Sequence, residues 1–83
     1  MKQKLMNKYG RTNLNGFYYI CDILENYQAP MNIINIYEEL GDKYGVSSQV
    51  INRNIRTYKD TVGFSNIPNA EFVCNLMIEF ENE

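Results

Sequence analysis

Apolar residues along this chain recur at helical rather than strand spacing, in five separate stretches. The clearest follows Gly16, where Phe17, Ile20, Cys21, Leu24 and Tyr27 fall at i, i+3, i+4, i+7 and i+10. Side chains at those intervals share one face of a helix, whereas a strand would alternate at every second position. This reading gives helices over 2–9, 16–27, 31–44, 48–61 and 70–81. In the first, Leu5, Met6 and Tyr9 lie on one side. The third carries Ile33, Tyr37, Leu40 and Tyr44 as one face. The fourth carries Ile51, Ile55 and Tyr58, with Val62 continuing the stripe, and the last carries Phe72, Val73, Leu76, Met77 and Phe80. Several β-branched isoleucines favour strands, but the period outweighs them. The pattern predicts an all-α fold, a small five-helix bundle.

Breaks between the stripes support the same division. "GRTN" interrupts the chain after the first helix. Pro30 disfavours helical geometry at the residue before it and so ends the second. Gly45 stands where a helix commonly closes in a left-handed conformation. Ser47 or Ser48 suits the cap of the fourth helix, and Asn69 that of the fifth, after the loop "GFSNIP".

One spacing carries more information than the rest. A helix-turn-helix needs a small residue where its helices approach, a turn residue at ease with positive φ, and a branched aliphatic in the second helix to fill the wedge. Gly41, Gly45 and Ile51 meet those needs in order, with Leu40, Tyr44 and Val46 around them. A glycine within a helix costs roughly 1 kcal/mol relative to alanine, so Gly41 calls for a packing reason such as a second helix close by. The chain is thus expected to form a single helix-turn-helix domain, 1–83, with 48–61 as recognition helix.

Stepping round that helix by about 100° per residue sends Ile51, Ile55, Tyr58 and Val62 inward. Gln49, Asn52, Arg53, Arg56 and Asp60 fall opposite. Arginine bonds guanine in bidentate fashion, and asparagine or glutamine does so with adenine. The first turns of a recognition helix meet base edges, which nominates Ser48, Gln49, Asn52 and Arg53. Lys43, Arg56 and Lys59, with the amino-terminal lysines, are expected at phosphates. The plainer alternative is a solvated face of the kind every soluble helix needs. Val50, apolar at the edge of that face, suits a protein partner.

Composition narrows the choice. At 83 residues the chain allows one domain, and its 45% hydrophobic content suffices for a packed core. A net charge of −2 is unusual for a nucleic-acid binder, but the charge is unevenly placed. Lys2, Lys4, Lys8 and Arg11 occupy the first twenty residues without an acid. Arg53, Arg56 and Lys59 face only Asp60 within 46–60. The acids gather at Asp22, Glu25, Glu38, Glu39 and Asp42, then at Glu71, Glu79, Glu81 and Glu83. A basic face can therefore coexist with an acidic back.

Cys21 and Cys74 stand 53 positions apart in a chain without histidine, which offers neither a metal cluster nor a disulfide framework. Both are expected as reduced, buried thiols. No cofactor is implied. Without a glycine-rich phosphate loop, a nucleophile elbow or a metal motif, no enzyme is expected. The start "MKQKLMNKYG" is too charged for a signal peptide, and no apolar run reaches the ~20 residues of a membrane span. A soluble cytoplasmic protein is expected.

"KYGVSSQVINRNIRTYKD", with "GFYYICDILEN" before it and "NAEFVCNLMIEF" after it, resembles the C-terminal effector domain of the stage-zero sporulation protein A family. The markers are Gly16-x-x-Tyr19, Tyr37, Lys43-Tyr44, Ile51-x-Arg53-x-Ile55-Arg56 and Asn69-x-Glu71-Phe72, in order from about Gly10 to Phe80. That resemblance implies a helical DNA-binding domain of bacterial or phage origin, with Arg53 and Arg56 at basic positions of the recognition helix. Asn52 takes the place of an acidic base-contacting residue, and Val50 stands where the family tends to carry arginine. The connection from Tyr58 to Asn69 is shorter than the family's, which holds a further helix engaged in dimer contacts, so tandem dimerisation does not carry over. The 83 residues read do not include the family's receiver domain, so the resemblance does not imply control by phosphorylation.

The leading expectation is a sequence-specific binder of double-stranded DNA, a transcriptional regulator. The alternative is a protein-interaction module, such as a phage or mobile-element inhibitor, that reuses the fold on a protein partner. A homodimer is open under either reading.

Overall fold

The computed structural model describes residues 2–28 and 32–81. They form five helices, α1 (Lys2–Tyr9), α2 (Asn15–Asn26), α3 (Ile33–Tyr44), α4 (Ser48–Thr61) and α5 (Asn69–Glu81), and the described residues contain no strand. Element number, type and order match the periodicity. Pro30, expected to end α2, lies outside the described residues, and α2 has already closed at Asn26. Tyr27 is extended there, with its N–H still bonded to the Ile23 carbonyl at 3.0 Å.

Local chemistry sets the ends of α3 and α4. The Asn32 side chain accepts from the Ile34 and Asn35 N–H groups, relieving two amides that have no partner within the helix. Ser47, not Ser48, caps α4, its Oγ accepting from the Val50 N–H at 3.3 Å. Gly45 closes α3 at φ 72°, the left-handed conformation its position suggested. Asn69 does not cap α5. It is the first helical residue, and its amide turns to Asn52, donating to the backbone carbonyl at 3.0 Å and to Oδ1 at 2.9 Å.

Helix α4 lies at the centre, packed on α2, α3 and α5. Ile51, Ile55 and Tyr58 are fully buried along its inner side. Two glycines permit the close approaches. A Cβ on Gly41 would stand 2.6 Å from the Val46 carbonyl oxygen, so the backbone of the turn after α3 lies directly on this glycine. At Gly16 a Cβ would meet the Asn54 carbonyl oxygen at 2.3 Å. This second approach, between α2 and α4, went unread in the sequence.

The core also draws on more of α2 than one stripe. Tyr19 and Ile23 are buried beside Phe17, Ile20, Cys21 and Leu24, because α2 packs on α1, α4 and α5 rather than on one neighbour. Ile36 is buried on α3 too, although the stripe of Ile33, Tyr37, Leu40 and Tyr44 leaves it out. Tyr44, expected in the inward stripe, is 41% exposed. Tyr44 is the last residue of α3, and its ring lies edge-on to Tyr19 at 5.1 Å between core and solvent, with its hydroxyl turned to Asp22. Met6 is likewise exposed while Leu5 is fully buried.

Candidate functional site

Three sides of α4 are occupied by neighbours, and the fourth faces outward. Gln49, Arg53, Arg56, Thr57 and Asp60 are exposed along it, and Ser48 and Asn52 are half-buried at its edge. Among the described residues neither the Arg53 nor the Arg56 guanidinium makes an ion pair or a hydrogen bond. Their charge is available to a ligand.

The outer face borders a cleft of about 540 Å³ between α4 and the starts of α3 and α5. Ser48, Gln49, Asn52 and Arg56 form one wall, Ile33, Ile34 and Tyr37 the second, and Pro68, Asn69 and Ala70 the third. Five of the seven nominated residues, Ser48, Gln49, Asn52, Arg56 and Lys59, therefore line it. Arg53 sits on the same helix, further round the exposed face.

Lys59 also lines the cleft, but its amine is spoken for. It is 4% exposed and donates to the Ile67 carbonyl at 2.7 Å, the Phe64 carbonyl at 3.3 Å and Asp60 Oδ1 at 3.1 Å. The connection 62–68 folds back over this flank of α4 and brings its carbonyls to the ammonium. An amine so enclosed does not reach a phosphate, and the expected role of Lys59 is corrected to a structural one.

Lys43 departs from expectation too. Its ammonium reaches Asp22 Oδ2 at 2.5 Å, and the Tyr44 hydroxyl donates to the same oxygen at 2.6 Å. Asn26 Nδ2 donates to Asp22 Oδ1 at 2.8 Å. Asp22 is 8% exposed. Its burial pushes the carboxyl up, and the bonds from Lys43, Tyr44 and Asn26 together outweigh that and hold it below the ordinary carboxylate range. This cluster joins α2 to the end of α3 and leaves Lys43 matched by a local carboxylate. Nothing in the residue pattern pointed to it, since Asp22 read as one acid among several.

The amino-terminal lysines lie away from the outer face. Tyr58 points inward from α4 and donates to the Gly10 carbonyl at 3.3 Å, which sets the end of α1 behind α4. Lys8 pairs with Glu79 of α5, and the Lys2 ammonium sits 5.3 Å from the centre of the Tyr18 ring.

One polar atom lies buried behind the wall of the cleft. The Tyr37 hydroxyl makes no hydrogen bond of full geometry, and the Asn69 side chain and the Arg56 charge act on it. Burial pushes its pKa up, against smaller opposing contributions from Asn69 and Arg56. No sequence signal separated this tyrosine from an ordinary core residue.

Among the described residues no group of three or more His, Cys, Asp or Glu could hold a metal ion, and no helix is long and apolar enough to cross a membrane. Compared with protein-family models, with curated proteins and with solved structures, the chain matches none.

Proposed function

We propose that the chain binds double-stranded DNA through the outer face of α4, as a helix-turn-helix regulator of transcription. The carrying observation is the pair of unpartnered guanidiniums, Arg53 and Arg56, beside the exposed Gln49 on a 14-residue helix. Arginine and glutamine so placed suit base edges in a major groove, which is wide enough to admit a helix. The three-residue connection 45–47 between α3 and α4 suits the motif, and so does the resemblance to the sporulation effector domain. On this reading Ser48, Gln49 and Arg53 meet bases and Arg56 a phosphate. Asn52 reads a base only after releasing Asn69.

With two available arginines on the face, affinity rests on few phosphate contacts, and its salt dependence is correspondingly shallow. Fluorescence anisotropy against a random duplex pool at low salt tests the reading. Arg53→Ala should weaken binding by about 1–3 kcal/mol on the selected sequence. No binding to any duplex at low salt would sink it.

A second reading, a protein-interaction module on the same fold, draws on Ile34, which is 65% exposed at the rim of the cleft. Capture of a host protein that survives nuclease treatment, with no duplex bound, would favour it.

A further inference from the structure

Asn69 spends its side chain away from its own helix. An asparagine at a helix start ordinarily accepts from the free amides of that helix. Here α5 begins behind Pro68, whose ring offers no acceptor, and Asn69 donates across to α4. Its Nδ2 reaches the Asn52 carbonyl at 3.0 Å and Asn52 Oδ1 at 2.9 Å. Both acceptors belong to one residue, at the edge of the outer face.

The fold holds Asn69 in place from both sides. Two residues before it, the Ile67 carbonyl accepts from the buried Lys59 ammonium at 2.7 Å. Three residues after it, the Phe72 ring lies in the core, and the Phe72 N–H bonds the Pro68 carbonyl at 3.0 Å. Asn52 and Asn69 are both half-buried, where water competes less for the bond between them.

The consequence falls on base readout. Asparagine reads adenine with both ends of its amide, Oδ1 accepting from N6 and Nδ2 donating to N7. On α4 that oxygen is already engaged by α5, so adenine must compete with Asn69 for it. Gln49 is exposed, and Arg53 makes no ion pair or hydrogen bond among the described residues, so neither meets such a competitor.

We propose that Asn69 determines specificity at the outer face of α4: by holding Asn52 Oδ1 it silences the adenine fork of that helix. The proposal rests on the DNA reading of the face. Asn69 acts through Asn52 and is a positioning residue. The coupling is reciprocal. A duplex that does engage Asn52 loosens the start of α5, and a change that loosens the start of α5 adds one base to the site that α4 reads.

The test uses the full chain and a duplex selected from a random pool, with each position of the selected site then changed singly to all four bases. Fluorescence anisotropy compares wild type, Asn69→Ala and the double variant Asn69→Ala with Asn52→Ala. Asn69→Ala should gain about a tenfold preference for adenine at one position, the order of bases elsewhere staying as it was. Adding Asn52→Ala should abolish that gain, which assigns the position to Asn52. A merely structural Asn69 would lower the Tm on substitution and leave every base preference unmoved, and that result would overturn the proposal. So would an adenine preference equally strong in wild type at the same position. The free wild-type protein gives a check without any variant. The Asn69 Nδ2 protons should exchange with solvent more slowly than those of exposed Asn75, and equal rates would remove the basis of the idea. If duplexes bind and the preferences do not move, this proposal alone fails. If neither wild type nor Asn69→Ala binds any duplex at low salt, the DNA reading fails and takes this one with it.

Discussion

The backbone of α2 at Gly16 lies directly against the backbone of α4 at Asn54, with no room for a side chain between them. An added methyl at Gly16 would meet the Asn54 carbonyl oxygen at 2.3 Å and the Tyr58 Cβ at 2.8 Å. Neither atom is the end of a flexible chain, so the helices themselves must part. Gly16→Ala is expected to destabilise by about 1–3 kcal/mol despite alanine's better helix propensity. In a domain of this size each kcal/mol lowers the Tm by about 4–8 °C. Gly41→Ala, whose Cβ would stand 2.6 Å from the Val46 carbonyl oxygen, should behave alike. Melts at or above the wild-type temperature would refute the close approach.

The Asp22 cluster sets an acid limit on stability. Its carboxyl pKa is lower folded than unfolded, because the donors Lys43, Tyr44 and Asn26 outweigh the opposing effect of burial. Such a group stabilises the fold above its unfolded pKa of about 4, and that contribution is lost as pH falls through the folded value. Urea unfolding between pH 3 and 7 should show stability falling towards the acid end. Asp22→Asn should be less stable at pH 7 and flatter towards acid. The Tyr44 hydroxyl runs the other way: its bond to Asp22, then burial, pushes it up to about 12. Its contribution is whole below pH ~10 and fades as the hydroxyl ionises above that.

Lys59 and Arg53 look alike in the sequence and should behave oppositely. Lys59→Met strands the Phe64 and Ile67 carbonyls and is expected to cost about 1–3 kcal/mol. Arg53→Ala should leave stability within about 0.5 kcal/mol of wild type, since nothing in the fold leans on its side chain. Chemical denaturation of both variants distinguishes them, and similar midpoints would contradict the burial of Lys59.

How far the sequence led follows from which interactions are periodic. The five helices were legible because burying one face imposes a 3.6-residue rhythm, and α5 was read in full, since Phe72, Val73, Leu76, Met77 and Phe80 are all buried. Gly41 and Gly45 were legible because a short turn constrains residues close in sequence. Lys59, Asp22 and Tyr37 were not, for the groups that act on them lie elsewhere: Ile67 on a returning loop, Lys43 and Tyr44 on another helix, Asn69 and Arg56 on α5 and α4. A helical wheel places Lys59 on a flank without saying what covers that flank. Of the nominated residues Ser48, Gln49, Asn52 and Arg56 gather at one cleft and Arg53 joins them on the helix, while Lys43 and Lys59 are held by contacts of the fold.

The two thiols should be kinetically distinct. Both are free, Cys21 buried and Cys74 half-buried. Burial, and then the nearby Glu25, pushes the Cys21 thiol up to about 11, which keeps it protonated and unreactive at pH 8. With a disulfide reagent at that pH, Cys74 is expected to react first and Cys21 only on unfolding. Indistinguishable rates in the native protein would argue against the buried setting of α2.

With three sides of α4 enclosed, its residues divide into those that hold the molecule together and those that answer to nothing inside it. Positions 49, 53 and 56 belong to the second kind, so they form a small alphabet that can be respelled without rewriting the scaffold. A library varied at those three sites should return folded proteins almost throughout, each presenting a different surface. The same variation at 52 or 59 would unlatch α5 or the loop before it. Selection acting on such a helix can change the surface it presents in single steps, and the fold would register no difference.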